Sequence, residues 1–415
     1  MRTPLRDALQ AHLDHLSFHT PAHSGVCVFS DDPRFDVTEL DFSDNLHAPT
    51  GVLAESMAET AAAFGVDFVR YVTAGATAAI HTAILAADGP YLVFGSAHKS
   101  VFNGLRLKGA ESYVYTARDL PAALEKTRAK TLIVTSPDYY GNCLPLKNIA
   151  RTAHAFGCTV IVDASHGSHF AFSQKLPVSA SEYGDIVIYS LHKTMPVPTG
   201  GALIACRAAY AETVSAAFEI CHTTSPSYPI MTAIEGAVDL FRREGEALYE
   251  RVFDALDGFE RDLPKPFSIV RAEDRTRLVL TSPYLGTAVA DALQRHEIYP
   301  ECADGSRVTL IVTPFNARHL GRVTEVLRQQ RAYPPAEPEP HFSRGMVQLS
   351  FGREFEAVPL SDAIGRIAYR EAGLYPPGTP VVYSGEVLSE EKAELLKKWG
   401  NRTFGLDCGR ILVVK

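Results

Sequence analysis

The chain has 415 residues, of which 46% are hydrophobic and 21% are charged, so it can bury a substantial core and form two or three domains. Its 40 basic and 48 acidic residues give a formal net charge of −8, which argues against binding to nucleic acid or to an anionic membrane. No apolar run in the sequence reaches the length of a membrane span. Seven scattered cysteines without a C-x-x-C pair indicate reduced thiols in a cytoplasmic protein.

The N-terminal segment carries Leu5, Leu9, Leu13 and Leu16 at helical spacing, which indicates an amphipathic segment. It lacks the apolar h-region of a secretory signal peptide. We assign residues 1–50 to an N-terminal arm that precedes the first domain.

Strand-like and helix-like segments alternate from about residue 68. The strand-like segments are apolar throughout, and most of the helix-like segments between them end in glycine. This pattern predicts an α/β fold in which a mostly parallel central sheet is covered by helices on both faces. We assign the large domain to residues 51–262. The strand-like segments are "DFVRYVTAG", "YLVFG", "ESYVY", "KTLIVTSP", "CTVIVDAS", "DIVIYSLHK" and "GGALIACR".

A smaller C-terminal unit is assigned to residues 263–415. It begins with the strand-like "FSIVRAEDRTRLVLTS", the helical "TAVADALQRHEIY" and the strand-like "RVTLIVTP", and a helix is predicted at 317–330. This order predicts a smaller α+β domain. The segment 331–345, "RAYPPAEPEPHFSRG", is rich in proline and acid and reads as a linker or a surface excursion.

A phosphate site is one interpretation of Gly75, Ala76 and Thr77, which lie between a predicted strand and the start of a helix. Ligands of an open parallel sheet bind beyond the carboxyl ends of its strands, and free N–H groups at a helix N-terminus suit a phosphate. Taken alone, these residues are better explained by an ordinary strand-to-helix turn.

Asp163 ends the apolar run "CTVIVD", where a buried carboxylate is costly unless it has a partner. It could cap a helix, bind a metal or face a cationic ring nitrogen. His166 and His169 follow closely, so a metal site of Asp163, His166 and His169 remains an alternative.

Lys193 follows a buried strand in "VIYSLHKTMPVPTGGALI", directly after Ser190, Leu191 and His192 and 30 residues beyond Asp163. A lone loop histidine such as His98 or His192 is more often a bystander than a catalytic group. The order of phosphate donors, histidine, acid and lysine is nevertheless the set that holds pyridoxal phosphate. A carboxylate keeps the pyridine nitrogen of that cofactor protonated, and a partly deprotonated lysine binds its aldehyde.

Ordered motifs along most of the chain resemble the Orn/Lys/Arg decarboxylase family of pyridoxal-phosphate enzymes, which has the aspartate-aminotransferase-like fold. The chain resembles the short form of the family, without an N-terminal receiver-like domain. The motifs that carry the resemblance are "FHTPAHSG", "DVTELDFSDNLHAPTG", "AHKSVFNGL", "DASHGSHF", "YSLHKTMPVPTGGALI", "VPLSDAIGRIA" and "YPPGTPVVYSGE".

The resemblance implies a role for each matching residue. Lys193 would form a Schiff base with the cofactor, Asp163 would pair with its pyridine nitrogen, and His98 would stack on its ring. Glu301 would meet the distal amine of a basic substrate. The residues assigned to cofactor binding are Ala76, Thr77, His98, Asp163, Ser165, His166, Ser190, His192 and Lys193. No metal is expected.

The resemblance also implies the activity, an α-decarboxylation of lysine, ornithine or arginine in polyamine biosynthesis. An aminotransferase or lyase on the same fold and a catalytically silent regulatory relative are the alternatives. The family further implies a cytoplasmic homodimer, or a higher even oligomer, with shared active sites. Departures from the family pattern at Ala22, Ser24, Ala97 and Ser165 leave the identity of the amino acid open.

Overall fold

The computed structural model describes residues 4–27, 32–117, 119–329, 333–336, 345–351, 354–375 and 378–415. Most of the predicted linker 331–345 therefore lies outside the described residues. The described α-helices are α1 (Pro4–Ala11), α2 (Val52–Phe64), α3 (Gly75–Ala86), α4 (Lys99–Lys108), α5 (Leu120–Thr127), α6 (Leu146–Ala155), α7 (Ala211–Cys221), α8 (Tyr228–Asp262), α9 (Gly286–Gln294), α10 (Leu320–Gln329) and α11 (Glu390–Trp399).

The described strands follow the predicted order of segments through the large domain and continue to the C-terminus. They are β1 (Leu16–Phe18), β2 (Phe68–Val72), β3 (Tyr91–Phe94), β4 (Ser112–Tyr115), β5 (Thr131–Thr135), β6 (Thr159–Asp163), β7 (Ile186–Tyr189), β8 (Ala202–Cys206), β9 (Ser268–Val270), β10 (Arg277–Thr281), β11 (Ile298–Pro300), β12 (Cys302–Asp304), β13 (Arg307–Ile311), β14 (Met346–Gln348), β15 (Phe355–Pro359), β16 (Ala372–Leu374), β17 (Thr379–Val382), β18 (Thr403–Phe404), β19 (Leu406–Asp407) and β20 (Arg410–Val414).

The central sheet has the strand order β14-β4-β3-β5-β6-β7-β8-β2. The five strands from β4 to β7 are parallel, whereas β14, β8 and β2 join antiparallel. The predicted mostly parallel sheet is thus confirmed. The antiparallel step from β7 to β8 has a local cause: no α-helix separates them in the described chain, so the turn containing Lys193 reverses the direction.

The C-terminal unit contains a second sheet, in the order β12-β13-β10-β9, whose neighbouring strands are antiparallel. Its buried residues belong to the same apolar core as the central sheet, whereas a separate cluster packs between Leu360 and Val413. The division into 1–50, 51–262 and 263–415 stays a prediction.

The N-terminal arm is helical over only part of the segment in which leucines recur at helical spacing. Helix α1 ends at Ala11, and Leu16 instead lies in β1, which pairs in parallel with β11 of the C-terminal unit. Leu5, Leu9 and Leu13 are exposed. Backbone pairing with β11 therefore outweighs the helical periodicity of the last leucine. None of the helices in the described ranges is long and apolar enough to span a membrane. All seven cysteines lie in the described residues, and none of them is joined to another in a disulfide bond.

Candidate active site

A cavity of about 370 Å³ lies where the parallel strands of the central sheet end. Its walls come from the start of α3, the segment between β3 and α4, the segment after β5, the end of β6 and the turn after β7. Tyr375 and Thr379 of the C-terminal unit close one side. The sheet topology alone gathers these segments, because parallel strands bring their carboxyl ends to one edge.

The N-terminus of α3 forms one wall of the cavity through Ala76 and Thr77, as the sequence predicts. The N–H of Gly75 donates to the carbonyl of Gly200 at 2.8 Å, and within the described residues no side chain caps this helix. Gly200 has a φ of +103°, and a Cβ there would lie 2.9 Å from the carbonyl oxygen of Thr73. The carbonyl of Gly200 thus takes the first helical N–H, and Ala76 and Thr77, which follow it, line the cavity, where their N–H groups suit an anion.

Asp163 is the last residue of β6, is 3% exposed and lines the cavity. Its Oδ1 accepts hydrogen bonds from the N–H and the hydroxyl of Ser165, at 3.1 and 2.5 Å. Two neutral donors do not neutralise a buried carboxylate, so a cationic group in the cavity would stabilise it. This is the environment that a protonated ring nitrogen needs from a protein.

Lys193 lies in the short turn after β7 and reaches the cavity. Its Nζ is 3.1 Å from Nε2 of His166. Burial lowers the pKa of Lys193, although the carboxylates of Asp163 and Glu301 oppose this effect. Burial and the neighbouring Lys193 also hold the pKa of His166 well below its ordinary value. The cavity therefore contains a lysine whose charged form is disfavoured, as a nucleophilic amine requires.

His98 and His192 are neutral side chains of the cavity at physiological pH. His98 caps α4, where its Nδ1 accepts from the N–H of Ser100 at 3.3 Å, and burial with the nearby Lys193 lowers its pKa to about 3. Burial lowers the pKa of His192 to about 4. Its Nδ1 is 3.4 Å from the hydroxyl of the buried Ser190.

Glu301 lies between β11 and β12, next to the cavity wall that Tyr139 forms. Its Oε1 accepts from the hydroxyl of Tyr139 at 2.5 Å, and its Oε2 accepts from the N–H of Thr20 at 2.9 Å. Tyr139 lines the cavity, whereas Glu301 is not among its described lining residues. Hydrogen bonds to Tyr139 and to the N-terminal arm therefore hold Glu301 beside the cavity.

The alternative metal site is not supported by these contacts. His169 belongs to another buried cluster, in which its Nε2 is 3.5 Å from Oδ1 of Asp274 and 3.1 Å from the hydroxyl of Thr276. His166 instead contacts Lys193, and Asp163 is bonded to Ser165. In the part of the chain that the structure describes, no three His, Cys, Asp or Glu side chains are placed to hold a metal ion.

The sequence analysis did not assign three residues that the structure places in or beside the cavity, Tyr139, Arg277 and Tyr375. Tyr139 follows β5 at the carboxyl edge of the sheet, so its position in the chain could have indicated it. Arg277 donates to Nδ1 of His166 at 2.9 Å, but it reads as one charge among several in "RAEDRTRLVL" and gives no local signal. Tyr375 likewise reaches the cavity from a distant segment.

Comparison with known proteins identifies the family. The profile of the Orn/Lys/Arg decarboxylase major domain matches residues 115–266, and that of its C-terminal domain matches residues 328–398. The uncharacterized protein YaaO of Bacillus subtilis (strain 168) is 30% identical over 96% of this chain and 94% of its own. The chain belongs to the Orn/Lys/Arg decarboxylase family. An arginine decarboxylase of the same strain is 27% identical over 95% of this chain and 93% of its own.

The fold of this Orn/Lys/Arg decarboxylase family member is shared with solved structures. The constitutive lysine decarboxylase of E. coli superimposes with a TM-score of 0.72 at 17% identity, covering 100% of this chain and 82% of that one. The predicted family, its pyridoxal-phosphate fold, the cofactor and the decarboxylase class are confirmed. The cavity fits this cofactor, because it combines a helix N-terminus for a phosphate, a buried carboxylate for a cationic ring and a lysine with a lowered pKa.

Proposed function

We propose that the chain is an α-decarboxylase of a basic amino acid and that Lys193, Asp163 and His98 are its catalytic residues. The observation that carries this proposal is the meeting of the α3 N-terminus, the Asp163 carboxylate and the Lys193 amine in one cavity. Bound there, pyridoxal phosphate supplies a reactive carbonyl carbon and a protonated ring that accepts the electrons of the broken Cα–carboxylate bond.

The residues of the chain bind and orient the reacting groups. The N–H groups of Ala76 and Thr77, with Ser190 and His192, would hold the phosphate. Asp163 would hold a proton at the pyridine nitrogen. His98, neutral and fixed by its bond to Ser100, would cover the ring without adding charge. Ser165 and His166 would orient Asp163 and Lys193, to which they are hydrogen-bonded.

Glu301 is proposed to select the substrate. A basic amino acid carries a distal cation that must be neutralised inside a partly buried pocket. The carboxylate of Glu301 is held by Tyr139 and by the N-terminal arm, so its position is fixed before the substrate binds. The names of the relatives, arginine decarboxylase and lysine decarboxylase, agree with a basic substrate.

The cellular setting is proposed on the same grounds as the substrate. Cysteines that form no disulfide bond and the nature of the relatives favour a cytoplasmic enzyme, whose amine product would enter polyamine biosynthesis. A homodimer with shared active sites is proposed from the family resemblance. Within one chain the N-terminal arm already reaches this region, since the N–H of Thr20 donates to Glu301 and the N–H of Ala22 donates to the carbonyl of His192 at 2.8 Å. Sedimentation of the active enzyme tests this; an active monomer would refute it.

Incubation of the purified, cofactor-loaded protein with a panel of amino acids tests the activity. Carbon dioxide and keto acid are followed together, because release of the one without the other separates decarboxylation from transamination. We expect carbon dioxide and an amine from lysine, ornithine or arginine. Keto acid without carbon dioxide would establish an aminotransferase, and neither product with any amino acid would indicate a silent relative.

A further inference from the structure

Arg277 is a buried cation whose side chain makes its one described hydrogen bond to a histidine of the active site. It begins β10, is 2% exposed and places one guanidinium nitrogen 2.9 Å from Nδ1 of His166. Gly141, at a φ of +91°, gives it room, because a Cβ there would lie 2.9 Å from the Cβ of Arg277. Burying a guanidinium is costly unless it is paired and hydrogen-bonded, so packing alone does not explain an arginine in this position.

The direction of the hydrogen bonds follows from the chemistry of the groups. A guanidinium donates and cannot accept, so Nδ1 of His166 must accept from Arg277. A neutral imidazole with an accepting Nδ1 carries its proton on Nε2. That Nε2 is 3.1 Å from Nζ of Lys193, and a donated hydrogen bond there requires an amine nitrogen with a free electron pair. A charged ammonium has none.

We infer that Arg277 is a positioning residue that fixes His166 with its proton on Nε2 and thereby holds the side chain of Lys193 as the neutral amine. The hydrogen bonds between Arg277, His166 and Lys193 do not depend on any catalytic activity. That they serve the reaction rests on the proposed function, in which Lys193 binds the cofactor. The alternative arrangement, a charged lysine donating to an unprotonated Nε2, would place a proton on Nδ1 against the Arg277 guanidinium.

The surroundings of the three side chains agree with this assignment. Asp163 and Glu301 favour a charged Lys193, whereas its burial and Arg277 oppose that charge. Burial and the Arg277 guanidinium disfavour an imidazolium at His166, and the ring of Tyr139 packs edge-on with its centroid 5.1 Å from that of His166. On the far side, the N–H of Arg277 donates to the carbonyl of Asp274 at 3.2 Å, and the Asp274 carboxylate is near the guanidinium.

The first test reads the position of the proton directly. Nitrogen NMR of the full-length, cofactor-free chain with ¹⁵N-labelled histidine reports the state of each ring nitrogen, and a His166→Gln variant assigns the signals. We expect His166 to be neutral, with an unprotonated Nδ1 and a protonated Nε2. A proton on Nδ1, or on both nitrogens, would overturn the inference without any need for an Arg277 variant.

The second test separates the hydrogen bond from the charge. Arg277→Gln removes the charge but keeps an N–H donor, and Arg277→Met removes both. Acetylation of Lys193 in the cofactor-free chain is followed against pH by mass spectrometry, with the exposed Lys147 as internal reference. We expect the reactivity of Lys193 near pH 7 to fall about tenfold in Arg277→Met, an upward pKa change of about one unit, and to fall less in Arg277→Gln.

If Lys193 is equally reactive in Arg277→Gln and Arg277→Met, the charge of Arg277 alone keeps Lys193 neutral, which contradicts a role for the hydrogen bond to His166. A folded Arg277→Met chain in which Lys193 has wild-type reactivity would exclude Arg277 from this role altogether. Neither test uses an amino-acid substrate or turnover. A chain that fails to decarboxylate basic amino acids can therefore still confirm the inference, and an active decarboxylase can still contradict it.

Discussion

The hydroxyl and the N–H of Ser165 both donate to the same oxygen of Asp163, at 2.5 and 3.1 Å. Both bonds use Oδ1, so they leave Oδ2 of this cavity-lining carboxylate for a bound cation. The short loop after β6 thus fixes the direction of the carboxylate before any ligand enters. We therefore expect the negative charge of Asp163, rather than the size of its side chain, to determine its contribution to activity.

Asp163→Asn is expected to retain the cofactor and to lose most of its turnover, at least tenfold or about 1.4 kcal/mol of transition-state stabilisation. An amide cannot keep the pyridine nitrogen protonated, while the phosphate contacts remain. Ser165→Ala is the matched control, because it keeps the charge and removes one of the two hydrogen bonds, and it should lose less. The measurement is kcat together with the amount of bound cofactor. Wild-type kcat in Asp163→Asn would make the acid structural.

Lys193→Ala is expected to abolish turnover and the visible absorbance of the lysine-bound cofactor. The fold should survive, since the substitution removes an amine whose charge is disfavoured by burial. Circular dichroism and thermal unfolding of the cofactor-free chain check the fold. Lys175→Ala, at an exposed lysine, serves as the control. Normal turnover of the Lys193 variant would exclude this residue as the cofactor lysine.

The stability of the cofactor-free chain is expected to fall as the pH drops below about 6.5. The pKa of His98 is lowered from 6.5 to about 3, and that of His192 to about 4, chiefly by burial. Between these values the unfolded chain binds more protons than the folded chain, so the free energy of unfolding rises with pH. Each histidine contributes a slope of at most about 1.4 kcal/mol per pH unit.

Urea unfolding at a series of pH values measures this slope. His192→Gln should reduce it between pH 4 and 6.5, whereas His12→Gln, at an exposed histidine, should leave it unchanged. A slope that is the same in both variants and in the wild type would show that His192 is protonated in the folded chain.

The sequence predicts the large sheet and the carboxyl-edge residues because both depend on local patterns. Apolar strands alternate with helices, and the polar residues that follow each strand must meet at one edge. Arg277 depends on something else, the docking of β10 against His166, and no pattern around it distinguishes a buried arginine from a solvated one. Leu16 shows the same limit, because pairing with β11 decides its conformation against its helical spacing.

Gly378 brings the C-terminal unit against the active site. A Cβ there would lie 2.7 Å from Cδ2 of His98, and the Gly378 carbonyl accepts from the N–H of Lys99 at 2.9 Å. Gly378→Ala should therefore displace the His98 ring and reduce kcat/KM about tenfold, about 1.4 kcal/mol. Gly365 is a matched control: it has the same φ of +81°, but a Cβ there meets nothing within 4 Å. Equal kcat/KM in the two variants would show that backbone strain, not the His98 contact, causes any loss.

Glu301→Gln is expected to raise KM for lysine, ornithine or arginine tenfold or more, about 1.4 kcal/mol, because the distal cation of the substrate loses its counter-charge. Glutamine can accept from the N–H of Thr20 with its carbonyl oxygen and can donate its amide N–H to the hydroxyl oxygen of Tyr139, so the packing around it should persist. The visible spectrum of the bound cofactor should not change. Tyr139→Phe keeps the carboxylate but frees its Oε1, and a smaller rise in KM is expected.

An unaltered KM for the best basic substrate in Glu301→Gln would remove Glu301 from the site. A preference of the wild-type enzyme for an uncharged or acidic amino acid would overturn the basic substrate and leave the decarboxylase chemistry standing.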